Sequence, residues 1–284
     1  VNEGKMKQLV KTKAKETGLP PQQLYGLFAM EQFLIKLNDS PYKDHLILKG
    51  GYVLATTLGL DRRATRDLDT TVRGFHLDKE KMEEIAEFIT QANQKASQFE
   101  LVGIKETREA FEYNGYELKL HYINGKARFP ISIDFTTGED LIDVMELDVI
   151  PSLFDSSVEL RFPRYPLEQI IADKWYTTLA YGKEGDTNSR MKDLYDLHVL
   201  SKSYDTIDYS YVAEAVKKTM TQKNNQIAPD EYDSIINFLQ SSEQQKLTWK
   251  NYQRLYPFAR ELQFNDVMES VKWISNQLKA SLGK

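Results

Sequence analysis

The stretch Lys49-Gly50-Gly51-Tyr52-Val53-Leu54-Ala55-Thr56-Thr57-Leu58, continuing through Arg62-Arg63-Ala64-Thr65-Arg66-Asp67-Leu68-Asp69-Thr70-Thr71-Val72, decides how the rest of the chain reads. Leu68, Thr70 and Val72 alternate with Asp67, Asp69 and Thr71, the pattern of a half-buried strand. Side chains two apart on a strand share a face, so this pattern sets two carboxylates side by side. Adjacent negative charges are costly unless something positive lies between them. A hard cation such as Mg²⁺ takes one or two carboxylates together with substrate phosphates, and a pair of ions can clamp an in-line displacement at phosphorus. The stretch points to phosphoryl or nucleotidyl transfer.

Upstream, Leu46-Ile47-Leu48 is a short apolar run of strand type that passes through Gly50-Gly51 into an apolar helical segment, Tyr52 to Leu58. A strand that turns through glycines into a helix leaves backbone N–H groups at the helix start for a phosphate to approach. On its own, Gly50-Gly51 reads as a tight turn; with Asp67 and Asp69 downstream it reads as the other half of a triphosphate site. Arg62, Arg63 and Arg66 lie between the two, and arginine is shaped for bidentate phosphate contact. Arg62 fits a neutralising or solvated role better, while Arg63 and Arg66 fit either.

Further out, residues 2–37 read as two helices, Lys5 to Thr17 and a second starting at Pro21. The second carries Leu24, Leu27, Phe28, Met30, Phe33, Leu34 and Leu37 at helical spacing. Residues 78–97 read as a charged amphipathic helix with Met82, Ile85, Ala86 and Ile89 inward. From about 99 to 161 the chain runs as strands with turns at Asn114-Gly115, Asn124-Gly125 and Thr137-Gly138, an expected antiparallel continuation of the sheet. In it, Phe129-Pro130-Ile131-Ser132-Ile133-Asp134-Phe135 is an apolar strand with one carboxylate. A buried Asp is expensive unless it is paired or binds a metal, so Asp134 reads as a third ligand beside Asp67 and Asp69.

After Pro163 the composition turns helical, which predicts an α+β domain over 1–163 and a helical domain over 164–284 that contributes to the active-site cleft. Leu167 to Tyr181 is one helix, with Ile170, Ile171, Trp175, Thr178 and Leu179 inward and Lys174 able to reach solvent. In the next, Ser189 to Leu200, Lys192 and Asp196 stand i,i+4 and could form a surface ion pair. Residues 208–222, 229–242, 245–256 and 264–281 read as further helices. Their bases (Lys217, Lys218, Lys223, Lys246, Lys250, Arg254, Arg260), with Trp249, Tyr252 and Tyr256 among them, fit a solvated face or a nucleic-acid contact.

Composition narrows the classes. With 284 residues, 41% hydrophobic and 11% aromatic, the chain is an ordinary globular protein of one or two domains. A net charge of -5 excludes a coat of positive charge for nonspecific nucleic-acid binding but allows a local basic groove. The absence of cysteine excludes disulfides, thiolate zinc and a Cys nucleophile, and the four histidines have no metal-ligand spacing. No apolar run spans a membrane and no signal peptide is evident, so a bacterial cytoplasmic location is expected; opening at Val1 rather than a methionine suggests trimming.

Four motifs in order, Lys49-Gly50-Gly51, Arg63-x-Thr65-x-Asp67-Leu68-Asp69, Tyr165-Pro166-Leu167-Glu168 leading to Ala172-Asp173-Lys174, and Arg190-x-Lys192-Asp193-Leu194-Tyr195-Asp196, resemble the AbiEii toxin family. Its members are nucleotidyltransferase-like toxins of abortive-infection and type IV toxin–antitoxin systems, relatives of DNA polymerase β. The resemblance covers roughly residues 24–200 and implies a polymerase-β-like mixed sheet with flanking helices plus a helical C-terminal part. It implies a nucleoside triphosphate substrate and Mg²⁺, with Asp67 and Asp69 as catalytic metal ligands and Gly50 and Gly51 holding the triphosphate. Lys174 would neutralise phosphate charge; Asp196 would be a base or anchor, with Asp193 as second choice. Lys49, Arg63, Thr65, Arg66, Arg190 and Lys192 complete the nucleotide-contacting set. This chain has Gly51-Tyr52 where the superfamily has Gly-Ser, which leaves the phosphate contact to backbone N–H groups.

The function these features predict is a toxin that moves a nucleotide onto RNA, with a tRNA 3′ end as the expected acceptor, and so blocks translation and growth. A cognate antitoxin would be encoded nearby, without direct binding being implied. A kinase or protein-nucleotidylating enzyme is the alternative among enzymes, and a non-catalytic GTP- or NTP-binding module the alternative outside them.

Overall fold

A computed structural model of the chain describes residues 1–91, 98–107, 115–138, 141, 144–185 and 188–282, with backbone alone at 145–147 and 282. The chain divides between Tyr165 and Pro166 into two compact units. In the first, α1 (Glu3–Thr17) is started by the Asn2 side chain, which accepts from the Lys5 amide, and stopped by Gly18 at φ 69°. Helix α2 (Pro21–Asn38) begins with proline in its first turn and buries all seven apolar residues read from its periodicity. Strand β1 (Leu46–Lys49) runs directly into α3 (Gly50–Leu58). Then come β2 (Leu68–Val72) and α4 (Lys79–Thr90), which Asp78 caps through the Lys81 amide. The helix expected over 78–97 thus ends at Thr90, and 92–97 lie outside the described residues.

Strands β3 (Gln98–Thr107), β4 (Gly115–Asn124), β5 (Ala127–Thr136), β6 (Met145–Pro151) and β7 (Glu159–Arg164) complete one seven-stranded sheet of order β3-β4-β5-β2-β1-β7-β6. The Asn124-Gly125 turn closes the β4–β5 hairpin, with Gly125 at φ 62°. Asn114 of the expected Asn114-Gly115 turn lies outside the described residues. The expected antiparallel continuation holds within β3-β4-β5 but not at the joint: β5 pairs with β2 in parallel, and β7 pairs with β1 in parallel. A parallel pair needs a crossover, and the segment carrying α4, β3 and β4 supplies it between β2 and β5. Strand β6 then lies at the far edge.

One face of this sheet is apolar. Leu118, Leu120 and Tyr122 of β4 point inward between Glu117, Lys119 and His121, and Phe28 of α2 meets Tyr122 with ring centroids 6.1 Å apart. The outer face of β4 and β5 is left polar. Glu31, on the buried side of α2, is 1% exposed; its carboxylate accepts from the Ser152 hydroxyl at 2.7 Å and the Leu153 amide at 2.6 Å. Burial pushes this carboxyl up from the usual glutamate range, and the two donors oppose the shift.

The second unit is helical: α5 (Leu167–Lys183), α6 (Met191–Ser203), α7 (Tyr209–Gln222), α8 (Tyr232–Ser241), α9 (Glu243–Leu255) and α10 (Phe264–Leu282). Trp175 of α5 stands edge-on to Tyr232, centroids 4.7 Å apart, and donates its indole N–H to Ser275 of α10 at 2.8 Å. Trp249 and Tyr252 are 2% and 8% exposed, so these aromatics among the basic helical residues are core rather than stacking platforms for bases. Among the described residues, no helix is long and apolar enough to cross a membrane.

Glu31→Ala leaves a buried amide and a hydroxyl without their acceptor. Urea unfolding is expected to show a loss of about 2–4 kcal/mol, whereas a change below about 0.5 kcal/mol would mean that water replaces the carboxylate.

Candidate active site

The site begins where β1 becomes α3. Gly50 has φ 65°, and a Cβ built there would collide with the Asp69 carboxylate. A Cβ on Gly51 would stand 2.5 Å from the Thr65 hydroxyl and 3.3 Å from the Arg63 guanidinium. The glycines are thus required for two reasons: the first lets a carboxylate lie against the helix start, and the second lets the 63–65 segment pack behind it. No side chain from Lys49, the N-cap residue, caps the first turn of α3. The positive end of the helix therefore faces the place where Asp69 stands.

Arg63 is 3% exposed and donates to the Ala64 carbonyl, so it forms the wall of the turn. Arg66 is exposed. Thr65 donates its hydroxyl to the Asp67 carbonyl at 3.1 Å and accepts from the Asp67 amide at 3.3 Å. This bridge holds Asp67 ahead of the strand, which starts at Leu68. The expectation that both carboxylates lie within one strand is corrected by one residue: the ladder begins at Leu68, so Asp67 stands just before it and Asp69 within it. Tyr52, which stands where the superfamily has serine, is fully buried.

Strand register supplies the neighbours of Asp69. Lys49 of β1 pairs with Asp69, Asp69 with Asp134 of β5, and Asp134 with Glu117 of β4, so four charged residues form one row across the sheet. Directly paired residues point to the same face. Burial, then the negative charges of Asp69, Glu117 and Asp67, push the Asp134 carboxyl up to about 6, with Lys49 opposing. Lys49 donates to the Thr136 hydroxyl at 2.6 Å, and its ammonium stands 5.7 Å from the centre of the Tyr165 ring. Glu117 accepts from Ser132 at 2.7 Å and meets Lys119 at 3.2 Å, contacts that lower its carboxyl. Glu117 and Thr136 escaped the sequence reading. Their signal is the alternation of β4 and β5, which becomes legible only once the register is known.

Among the described residues, no group of three or more His, Asp or Glu side chains is gathered as a ready metal cage. The donor chemistry nevertheless fits a hard divalent cation. Asp69 and Asp67 both act on Asp134, and after burial their negative charge adds to the upward push on its carboxyl, a repulsion that a cation would relieve.

The remaining predicted residues meet in the helical unit. Lys174 donates to Asp193 at 2.6 Å and pairs with Asp196 at 2.8 Å, while Arg190 donates to the other Asp193 oxygen at 2.6 Å. Lys174 is 8% exposed and Asp196 0%, so the snorkelling lysine and the Lys192–Asp196 surface pair are both corrected. The apolar face that carries Leu194 and Leu197 draws Asp196 inside, where Lys174 is the compensating charge. Lys192 is half-buried. Burial pushes Asp193 up, but Lys174 and Arg190 outweigh it and hold the carboxyl at about 2.

Two outcomes follow from these contacts. Gly51→Ala forces Thr65 or Arg63 to move, and thermal unfolding should reveal a destabilisation of about 1–3 kcal/mol. Asp193, depressed from 3.8 to about 2, contributes stability that is present above pH 3.8 and is lost as the pH falls through about 2. Calorimetric melts from pH 5 to pH 2 should therefore show a steeper fall for the native chain than for Asp193→Asn; parallel curves would remove this carboxylate from the acid response.

The family described as "Nucleotidyl transferase AbiEii toxin, Type IV TA system" matches residues 32–274. No curated protein matches the chain. Among solved structures, JHP933 from Helicobacter pylori is similar over 93% of this chain and 95% of its own, at 17% identity and a TM-score of 0.52. A candidate nucleotidyltransferase from H. pylori aligns over 93% and 96% at 17% identity with a TM-score of 0.48. The likeness to JHP933 is one of fold, and the family match spans both units, from α2 to α10. The chain accordingly belongs to the AbiEii nucleotidyltransferase toxin family of type IV toxin–antitoxin systems.

Proposed function

We propose that the chain transfers a nucleotide from a nucleoside triphosphate to the end of an RNA, with a tRNA 3′ end as acceptor, and thereby blocks translation and growth. The observation that carries this reading is the register that sets Asp69 against Asp134 while the Asp69 carboxylate lies over Gly50 at the start of α3. Anionic groups and a helix N-terminus converge there, which is what a metal-borne triphosphate requires.

Asp67, Asp69 and Asp134 would hold Mg²⁺. When bound, it offsets charge on the phosphates and lowers the pKa of an attacking hydroxyl. The amides of Gly50 and Gly51 bind phosphate oxygens, Arg63 and Thr65 keep that turn in place, and Arg66 adds a positive charge at the surface. Lys49 orients Thr136 and offsets part of the acid row. In the helical unit, Lys174 and Arg190 are held by Asp193 and Asp196. The complete burial of Asp196 against Lys174 favours the role of anchor over that of base, and Asp193 shares it. A cognate antitoxin is the partner that a type IV system supplies.

The test is to incubate the purified chain with Mg²⁺, total bacterial tRNA and each α-³²P-labelled nucleoside triphosphate in turn. Label in tRNA from the native chain, reduced at least ~100-fold in Asp69→Asn and in Asp134→Asn, is the expected result. Chelation with EDTA should abolish it and added Mg²⁺ restore it. Label on protein instead of tRNA would replace the acceptor, and no transfer to either would sink the reading.

A further inference from the structure

The row of charges continues past Glu117. Its partner on β3 is Lys105, so across five strands the row runs Lys49, Asp69, Asp134, Glu117, Lys105 on one face of the sheet. Both ends are positive and the three middle members negative. Among these three, Glu117 is set apart by having both carboxylate oxygens engaged. One accepts from the Ser132 hydroxyl at 2.7 Å, and the other meets the Lys119 ammonium at 3.2 Å. A carboxylate so occupied is poorly placed to ligate an ion itself. Lys105 adds to the positive charge that keeps it ionised.

The two donors that hold Glu117 are also neighbours of Asp134. Ser132 precedes Asp134 by two residues on β5 and so shares its face. Lys119 pairs directly with Ser132, which makes it the diagonal neighbour of Asp134, a separation that a lysine side chain spans. The Asp134 carboxylate therefore stands between two directions. On one side is Asp69, where a cation would sit; on the other are a hydroxyl and an ammonium that could satisfy it without any ion. Glu117 closes the second direction, because it occupies both donors and its negative charge acts on Asp134. We propose that Glu117 is a positioning residue: by holding Ser132 and Lys119 it keeps the Asp134 carboxylate turned toward Asp69 and open to a divalent cation. This role rests on the reading of Asp69 and Asp134 as cation ligands. It gives the charged end of the β4–β5 pairing a task in the site without contact between Glu117 and the ion.

The test is a titration of the full chain with Mn²⁺ alone, without nucleotide, in which the free ion is followed by electron paramagnetic resonance. The native chain is expected to bind the ion, and Asp69→Asn to lose the binding. Glu117→Gln keeps the shape of the side chain but releases Lys119 to Asp134, and weakens binding about tenfold, the loss that removal of a partner orienting a metal ligand brings. Lys119→Met alone keeps the native affinity. Combined with Glu117→Gln it restores binding to within about twofold of native, the non-additivity of residues that share a partner. A second substitution that restores binding cannot be mimicked by a failure to fold. Native affinity in Glu117→Gln, or a weakening that persists in the double variant, overturns the positioning role while leaving the Asp69-dependent site in place. No Mn²⁺ binding by the native chain, or binding indifferent to Asp69→Asn, overturns the cation reading of the acid row and the role of Glu117 with it.

Discussion

The register between β2 and β5 is the constraint on which the rest of the first unit depends. It places Asp69 directly beside Asp134, an apposition of like charges that no local preference would choose. What holds it is the other face of the same strands. Leu68 pairs with Ile133 and Ile133 with Leu118, one residue away from Asp69, Asp134 and Glu117, and all three apolar residues are fully buried. A slip by one position would turn these side chains to solvent, at about 1.5–3 kcal/mol each. Hydrophobic burial on one face thus sets like charges together on the other, and burial first, then those charges, push the Asp134 carboxyl up.

The two charged clusters differ in kind. In the helical unit Lys174 and Arg190 answer Asp193 and Asp196 with hydrogen bonds, and Asp193 is held low. Buried charges so paired are compensated, and removing one partner is what costs stability. In the sheet unit burial, then the neighbouring carboxylates, push Asp134 in the opposite direction, with Lys49 opposing.

Much of this was legible beforehand. The seven apolar residues of α2, and Met82, Ile85, Ala86 and Ile89 of α4, are all buried as their spacing implies, because a helix that must cover a sheet can do so with one stripe only. The glycine pair and the acidic strand were visible as motifs, and the family resemblance carried the fold class. Less legible was Asp67, which stands one residue before the strand and is bridged by the Thr65 hydroxyl. Trp249 and Tyr252 read as possible base-stacking residues, but aromatics beside lysines on a helix look the same whether they face solvent or the core.

By itself the sequence determined the elements, their buried faces and the identity of the acidic and glycine residues, since these follow from periodicities of 2 and 3.6 along the chain. Only the tertiary structure decided which strands pair in parallel, which carboxylate stands beside Asp69, and that Asp196 is buried against Lys174. These are contacts between residues far apart in the chain. Periodicity is a property of one segment, whereas register and charge pairing are properties of two, chosen by the burial that both achieve together.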